Sequence, residues 1–492
     1  MSSKFRHLIP YRCAAVLSLA ALSACDLGPH YQRPQIPTPT TWSSVPAAGG
    51  AAGQGSAPAA ATGSAPAAIQ DTWPQAAWWE GFRSRELDGL IRQAQEANDD
   101  LAAAVARVQQ ADAQARIAGA PLLPSLGAGF TPERQSQFLP LNGGGLLTFT
   151  SFTAQLTAAY ELDFWGKNLA LRQAALQSAR ASRFDRETVE LTVLSSVATT
   201  YFTALSLRER IGIAVANVAA ARQTLDGLRL EQSVGTSTAL DVAQQQTVVE
   251  TEDATIPALQ AQLQQNLAAL ATLVGRTPED LPPPTAHLTD VAEPQLVAGL
   301  PSQLLARRPD VASAEAQLIA ANADVRAARA AFFPTIDLTA SGGYESTALS
   351  TLLVPGSRIF SLGAGITQPI FQGGALLGQY QLNKGRYAEL LADYHKAVIS
   401  AFSNVETALT AVQETAEQLR RQQRAAQTAQ RAYDFAQAQF HAGTINILNV
   451  LTTETSLLSA QDTLAQVKLA HLSALVGLYQ ALGGGWNTEQ EP

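Results

Sequence analysis

The stretch Val234-Gly-Thr-Ser-Thr-Ala-Leu-Asp-Val242 is written twice in this chain, the second time as Ala442-Gly-Thr-Ile-Asn-Ile-Leu-Asn-Val450. Each copy lies between two long runs rich in Ala and Gln, and each has one Gly followed by polar residues. That order is typical of a helix C-terminus followed at once by the start of a new helix. Each copy therefore predicts the sharp turn of an antiparallel helical hairpin.

Other landmarks repeat at nearly the same distance along the chain. Gly235 and Gly443 are 208 residues apart, as are Gly275 and Gly483. Such an offset predicts a tandem duplication. We place the first repeat at residues 86–299 and the second at 300–486, each with a helix, a strand pair and a long helical hairpin, followed by a tail at 487–492.

Helical periodicity predicts three helices in each repeat. They span 86–119, 166–234 and 238–274 in the first repeat, and 301–332, 374–441 and about 445–482 in the second. Pro257 lies inside the third, where we expect a kink or a local break in hydrogen bonding. The run 166–234 would be about 100 Å long at the helix rise. Because the two shorter helices together match the longer one, we expect them to stack end to end beside it.

Strand patterns separate the first two helices of each repeat. One strand begins at Ser125, and after a Gly- and Pro-rich loop a second alternates apolar and polar residues over 152–162. The second repeat shows the same alternation at 336–344 and 360–367. This pattern fits the strands of a membrane barrel, and it also fits a soluble half-buried hairpin. If these strands span a membrane, four of them cannot close a barrel, so several chains must share one.

The N-terminus predicts a lipoprotein signal peptide over residues 1–24. Three basic residues precede the apolar segment Ala14–Ala24, and Leu22-Ser-Ala-Cys25 is typical of the site at which a bacterial lipoprotein is cleaved and lipidated on its cysteine. The alternative is an ordinary signal peptide with a cysteine there by chance. Residues 25–85 are predicted to be a lipidated N-terminus and a Pro/Ala/Gly-rich tether, with Cys25 as the lipid-bearing residue.

Aromatic residues are concentrated where the tether ends, at Trp73, Trp78, Trp79 and Phe82. We interpret them as a hydrophobic anchor on the folded body, with a ligand site as the alternative. Without residues 1–24 the chain keeps 30 Lys and Arg against 41 Asp and Glu, an acidic balance that disfavours nucleic acid as a partner.

Several motifs in this order resemble an outer-membrane efflux factor of the TolC-like family, in its lipoprotein branch of the OprM or NodT type. They are Cys25-Asp-Leu-Gly-Pro-His-Tyr-Gln-Arg-Pro34, Leu304-Leu-Ala-Arg-Arg-Pro-Asp310, Ala314-Glu315, Phe332-Phe-Pro334 and the two Gly-Thr turns. The resemblance spans almost the whole chain after residue 24.

The resemblance implies an α+β membrane protein. Three chains with four strands each would form a 12-stranded outer-membrane β-barrel, continued by a long periplasmic α-helical barrel. It also implies a homotrimer, a periplasmic adaptor (a membrane fusion protein) and an inner-membrane pump of the resistance–nodulation–division class. The implied function is the export of small molecules, such as drugs or other toxic compounds, through a duct that closes at its periplasmic tip.

The resemblance also assigns roles around the turns. The adaptor-docking tip would comprise Val234, Gly235, Thr236, Ser237, Leu240, Ala442, Gly443, Thr444 and Leu448. Candidates for the aperture are Asp241, Asn449 and Thr452, although Asn449 departs from the acidic residue that many relatives carry. Asp241 is alternatively an ordinary helix cap. Asp26, directly after Cys25, can retain lipoproteins in the inner membrane of enteric bacteria.

Two other classes of function fit the sequence less well. We expect no enzyme, no cofactor apart from the lipid on Cys25 and no metal site, because the six histidines lack metal-ligand spacing and no catalytic motif occurs. A periplasmic coiled-coil adaptor, or a scaffold lipoprotein of a transport complex, would share the lipidation site and the hairpins. The paired amphipathic strands between two hairpins favour the outer-membrane channel over both.

Overall fold

A computed structural model describes residues 31–39, 41–43, 73–139, 145–294 and 301–486. The predicted signal peptide, Cys25, Asp26, most of the tether and the tail at 487–492 lie outside these residues.

The predicted helix 86–119 is two helices, α1 (Arg85–Ala97) and α2 (Asp99–Gly119). Asn98, which is almost fully buried, separates them in an extended conformation. Its side-chain oxygen accepts a hydrogen bond from the Leu101 amide at 3.0 Å, and its Nδ2 donates to the Leu273 carbonyl at 2.8 Å. The prediction of one helix was wrong because an Asn cap can start a new helix without disturbing the apolar periodicity.

Four antiparallel strands form one sheet in the order β1 (Ser125–Leu139), β2 (Gly145–Glu161), β3 (Thr335–Ser346) and β4 (Arg358–Thr367). Phe152 lies opposite both Pro132 of β1 and Ser346 of β3, so the β2–β3 pairing joins the two repeats. The first hairpin is longer than predicted. Pro132 lies within β1, which is an edge strand of the sheet formed by one chain.

The two long hairpins agree with the predicted bounds to within two residues. In the first repeat, α3 (Lys167–Ser233) is followed by α4 (Ala239–Leu273). Helix α4 continues through Pro257 as one element.

The second repeat differs from prediction ahead of its strands. A short helix α5 (Pro301–Leu304) and a 22-residue helix α6 (Pro309–Ala330) replace the predicted helix 301–332. The long hairpin then consists of α7 (Ala375–His441) and α8 (Ile447–Ala481), of 67 and 35 residues. The predicted match in length between one long and two shorter helices therefore fails in this repeat.

The break before α6 is fixed by Arg308, a buried side chain. Its Nε donates to Asp310 Oδ1 at 2.9 Å, and its Nη1 donates to the Ala481 carbonyl at 3.0 Å. The guanidinium of Arg307 lies 5.0 Å from the centre of the Trp73 ring. The Arg-Arg-Pro-Asp motif thus caps the C-terminus of α8 and holds Trp73.

The chain divides into two compact units that do not follow the two repeats. Of the described residues, one unit comprises 31–35, 107–139, 145–183 and 313–395 and contains the sheet. The other comprises 36–39, 41–43, 73–106, 184–294, 301–312 and 396–486 and contains both hairpin turns. The core of the second unit includes Phe82, which is fully buried, and Trp78, which stacks on Tyr479 at 5.0 Å between ring centres. This confirms the hydrophobic-anchor interpretation for Trp78 and Phe82.

The described part of the predicted tether is packed against helices. In the first unit, Arg33 Nη2 lies 2.8 Å from Glu315 Oε2, and the Tyr31 hydroxyl donates to Glu315 Oε1 at 3.2 Å. In the second unit, Trp42 is buried with its ring 6.2 Å from that of Phe402. This part of the predicted tether is therefore held by contacts between segments that lie far apart in the sequence.

The duplication is visible in two close contacts of glycine with backbone. A Cβ on Gly275 would lie 2.1 Å from the Ala97 carbonyl oxygen, and one on Gly483 would lie 1.9 Å from that of Arg307. Both glycines have a positive φ, +68° and +88°. The partners, like the glycines, occupy equivalent places in the two repeats. Within the described ranges, no helix combines the length and the apolar character that a membrane-spanning helix needs.

Candidate functional site

The two predicted turns have the same backbone geometry. Gly235 has a φ of +81°, its amide donates to the Gln232 carbonyl at 3.0 Å, and the Thr236 amide donates to the Glu231 carbonyl at 2.9 Å. This is the Schellman arrangement that ends a helix at a left-handed glycine. The Thr236 hydroxyl adds the third bond of this turn, donating to the same Glu231 carbonyl at 3.0 Å.

The second turn repeats each of these bonds. Gly443 has a φ of +70°, and its amide donates to the Phe440 carbonyl at 2.8 Å. The amide and the hydroxyl of Thr444 both donate to the Gln439 carbonyl at 3.0 Å. The Gly-Thr pair therefore fixes both turns by the same local chemistry, as the sequence predicted.

The helices that leave the two turns are capped differently. Helix α4 begins with a capping box, in which Thr238 Oγ1 accepts from the Asp241 amide at 3.2 Å and Asp241 Oδ2 accepts from the Thr238 amide at 2.9 Å. Helix α8 begins at Asn446, whose Oδ1 accepts from the Asn449 amide at 3.3 Å and from Asn449 Nδ2 at 2.8 Å. The first turn holds a carboxylate where the second holds an amide.

The Asp241 carboxylate is ionised and accepts the capping hydrogen bonds at the start of α4. Hydrogen bonds from the Thr238 side chain and backbone, with a weaker one from Ser237, hold the pKa of Asp241 below its ordinary value. Of the other two aperture candidates, Asn449 and Thr452 are exposed, and the Thr452 hydroxyl donates to the Leu448 carbonyl at 2.8 Å. All three lie in the first two turns of α4 or α8.

The turns expose apolar side chains. Val234 is 69% exposed, Leu240 65% and Leu448 54%. Leu240 and Leu448 are equivalent residues of the two repeats, and each follows its glycine by five positions. The other predicted tip residues, Ala442, Thr236 and Thr444 with the two glycines, are exposed, while Ser237 is half-buried.

Behind the second turn lies an apolar cluster that includes residues from both hairpins. Its buried members are Leu228, Tyr433, Ala436, Ile447, Val450, Leu451 and Leu457. Val242, at the start of α4, packs against its edge. The two turns thus share a packed support within the second unit, although their caps differ.

Sequence reasoning missed two buried polar residues near this support, Gln245 and Glu454. They are 0% and 1% exposed, and Gln245 Nε2 lies 3.4 Å from Glu454 Oε2. The available signal was the spacing of Glu454, which takes an inward position between Leu451 and Leu458 on α8. Among the described residues, no group of three or more His, Cys, Asp and Glu side chains is placed to hold a metal ion.

The chain is similar to one family over most of its length. The family model described as "Outer membrane efflux protein" matches residues 90–276 and 300–484.

Curated relatives carry the same similarity. The Pyoverdine export outer membrane protein OpmQ of Pseudomonas putida is 40% identical over 491 residues, which cover 98% of each chain. OpmQ of Pseudomonas aeruginosa is 42% identical over 421 residues, covering 84% of this chain and 88% of its own. The Toluene efflux pump outer membrane protein TtgF of Pseudomonas putida is 33% identical over 478 residues, 96% of each chain.

Solved structures share the fold. The structure of CusC superposes with a TM-score of 0.81 at 29% identity, covering 93% of this chain and 100% of that one. The open state of the MtrE outer membrane channel of Neisseria gonorrhoeae gives a TM-score of 0.80 at 28% identity, covering 95% and 100%.

Proposed function

The chain belongs to the outer membrane efflux protein family, and we propose that its two hairpin turns form the periplasmic end at which it joins an adaptor. The family and fold class predicted from the sequence are confirmed. The chain is an efflux channel of the outer membrane that extends into the periplasm, and it exports small molecules. The alternative of an adaptor or scaffold is wrong.

We propose that three copies assemble through their sheets. Among the described strands, β1 pairs only with β2 and β4 only with β3, so each chain offers two strand edges. Lipid does not tolerate an unpaired edge, and single-chain barrels begin at about eight strands. Three chains would join β1 of one to β4 of the next and close a barrel of 12 strands.

The observation that carries the proposal for the turns is their exposed apolar surface. Val234, Leu240 and Leu448 extend from turns whose backbone bonds are already satisfied. Exposed apolar residues grouped at one place are typical of a protein-binding surface. An adaptor with apolar side chains at its own tip would bury them.

The proposal for the pump rests on the resemblance of the sequence, and the proposal for the cargo rests on the names of the relatives. We propose an inner-membrane pump of the resistance–nodulation–division class, in line with the resemblance of the sequence. Two relatives named for pyoverdine export are 40% and 42% identical, and one named for toluene efflux is 33% identical. We therefore propose small organic molecules as cargo, with pyoverdine as the first compound to test and toluene as the second.

Lipid attachment at Cys25 is a further part of the proposal. Tyr31 and Arg33 contact Glu315 of the first unit. They follow Cys25 by six and eight residues, so a lipid on Cys25 would lie within a short length of chain of that unit. Replacing Cys25 with Ser should abolish palmitate labelling. Replacing Asp26 tests whether that residue affects sorting to the outer membrane.

We also propose that transport involves no catalysis and no cofactor other than this lipid. The roles of Asp241, Asn449 and Thr452 at the aperture belong to the proposal as well. Asp241 would act both as the cap of α4 and as a residue that lines the aperture. Its Oδ2 accepts the capping bond, and the side chain is only half-buried, so part of it remains accessible.

Site-directed crosslinking tests the proposal for the turns. Thr236→Cys and Thr444→Cys place single thiols on the exposed turns, and Gln379→Cys places a matched exposed thiol near the start of α7. In cells that also express the adaptor, both turn variants should crosslink to it and Gln379→Cys should not. Equal crosslinking of all three, or of Gln379→Cys alone, would refute docking at the turns.

A further inference from the structure

A buried polar pair connects α4 to α8 a short distance behind the two turns. Gln245 lies six residues after the start of α4, and Glu454 lies seven residues after the start of α8. Gln245 Nε2 donates to the Ala221 carbonyl of α3 at 2.9 Å and to Glu454 Oε2 at 3.4 Å. Both side chains are excluded from solvent within the single chain.

The surroundings of the pair are apolar along both helices. Leu451, Leu457 and Leu458 are the buried neighbours of Glu454 on α8, one helical turn away on either side. Val249 is the buried neighbour of Gln245 on α4. A carboxylate in such a place must be paired with a cation or with several donors, because burial removes its hydration.

Two acceptor atoms of the pair lack a partner. Gln245 Oε1 and Glu454 Oε1 are both buried without a hydrogen bond. An ionised carboxylate only accepts, so it cannot serve Gln245 Oε1. A protonated Glu454 has an O–H to donate. If it donated to Gln245 Oε1 while Gln245 Nε2 donates to Glu454 Oε2, that single proton would give both orphaned oxygens a partner.

The titratable groups that face Glu454 also disfavour its charge. Burial raises the pKa of Glu454, and the carboxylate of Glu252 on α4 raises it further, against the opposing hydrogen bond from Gln245. From α7, Tyr433 faces it with a phenol whose own pKa burial and Glu454 raise. Helix α3 contributes the Ala221 carbonyl to the pair and the Thr224 side chain to Tyr433.

We propose that Glu454 and Gln245 form a protonated acid–amide pair that fastens α4 to α8, and that ionisation of Glu454 loosens this contact between the two hairpins. The proton passes to water when the pair separates, leaving a hydrated carboxylate on α8 and a hydrated amide on α4. That the loosening widens the duct rests on the proposed function of the turns as its periplasmic end.

The direction of the pH dependence follows from the buried acid. In the separated state Glu454 is hydrated and has the ordinary pKa of a Glu side chain, about 4.3. Above that pH separation releases a proton, so the separated fraction rises up to about tenfold per pH unit until the raised pKa of the closed pair is reached, and is constant beyond it. The contact is therefore tightest in acid.

Hydrogen–deuterium exchange of the purified, full-length protein in detergent tests the pair directly. Peptides covering the first turns of α4 and α8 are compared between wild type and Glu454→Gln at each pH, which cancels the intrinsic pH dependence of exchange. The isosteric amide pairs with Gln245 at every pH. The exposed Glu250→Gln on α4 is the matched control, and the double variant Gln245→Glu/Glu454→Gln reverses the acid and the amide.

As the pH rises, exchange should become faster than in Glu454→Gln for three proteins: wild type, Glu250→Gln and the reversed pair. The ratio of each of these exchange rates to the rate of Glu454→Gln should be near one at about pH 4. A ratio that is constant across the pH range, or a loss of the effect in the reversed pair, would overturn the proposal. Conductance in planar bilayers separates the two proposals. If exchange follows pH as expected but conductance does not, the pair stands and its role in opening the turns fails.

Discussion

Gly275 and Gly483 should be among the glycines whose replacement by Ala harms folding most. Each combines a positive φ with a close backbone approach, since a Cβ would lie 2.1 Å from the Ala97 oxygen or 1.9 Å from the Arg307 oxygen. The neighbouring atoms are backbone, so they cannot move aside as a flexible side chain would. Either the helix end or the facing loop must shift.

Other glycines of the chain separate the two causes of the expected loss of stability, the left-handed backbone and the close backbone contact. At Gly235 the φ is +81° and no atom lies within 4 Å of the added Cβ, so Gly235→Ala measures the left-handed backbone alone, about 1–2 kcal/mol. Gly227, inside α3, also has open space but an ordinary helical φ, so Gly227→Ala should stabilise by about 0.5–1 kcal/mol. Overpacking adds about 1–3 kcal/mol, which gives about 2–5 kcal/mol for Gly275→Ala.

Guanidinium denaturation of the purified variants, followed by helical circular dichroism, gives the free energies of unfolding. The expected order of stability is Gly227→Ala, wild type, Gly235→Ala and then Gly275→Ala together with Gly483→Ala. If Gly275→Ala were no less stable than Gly235→Ala, the carbonyl contacts would have no energetic weight. That result would refute a requirement for glycine at these two contacts.

Three further predictions concern single side chains, each measured as the thermal midpoint of the purified protein. Asp241→Ala should lower the free energy of unfolding by about 1 kcal/mol above about pH 4. The difference from wild type should vanish as the pH falls through the lowered pKa of Asp241, because protonation ends the capping bonds of the carboxylate. A difference that persists in acid would contradict this. Burial lowers the pKa of His471, so wild type should lose stability below about pH 6.5 while His471→Gln should not, and equal pH profiles would refute it. Arg308→Ala should destabilise by about 2–3 kcal/mol and Arg308→Lys by less, because the amine keeps the charge at Asp310; equal losses would show that the charge is irrelevant.

The long helices and the turns were predictable because their signals are local. Helix α3 was predicted at 166–234 and occupies Lys167–Ser233, since no proline interrupts it and a glycine ends it. The Schellman bonds of Gly235 and Gly443 follow from the Gly-Thr pair alone. For the same reason the cap at Asp241 could be read from the sequence.

The remaining features depend on partners far apart in the chain. The break at Asn98 is fixed by the carbonyl of Leu273, and the break before α6 by the contact of Arg308 with Ala481. Tyr31 packs on Glu315, which is 284 residues away. Periodicity in one segment carries no information about such partners, so each pair of helices was predicted as one helix and the contacts of the tether were not predicted.

The Gln245–Glu454 pair, close to the turns, is another contact between distant residues that local sequence patterns do not reveal. Each residue belongs to a helix that was predicted correctly, but the contact is between two hairpins of different repeats. A single acid on the apolar face of a helix indicates burial, yet only the fold gives its partner.

The central claim, that the hairpin turns form the periplasmic end of an outer-membrane channel, is tested most directly by thiol labelling in cells. The two variants are Thr236→Cys, on the first turn, and Gln137→Cys, on the β1–β2 hairpin. Each is treated with a maleimide attached to a polymer that is too large to enter the duct. We expect Gln137→Cys to react in intact cells and Thr236→Cys to react only after the outer membrane is permeabilised. Labelling of Thr236→Cys in intact cells, with Gln137→Cys protected, would contradict the account.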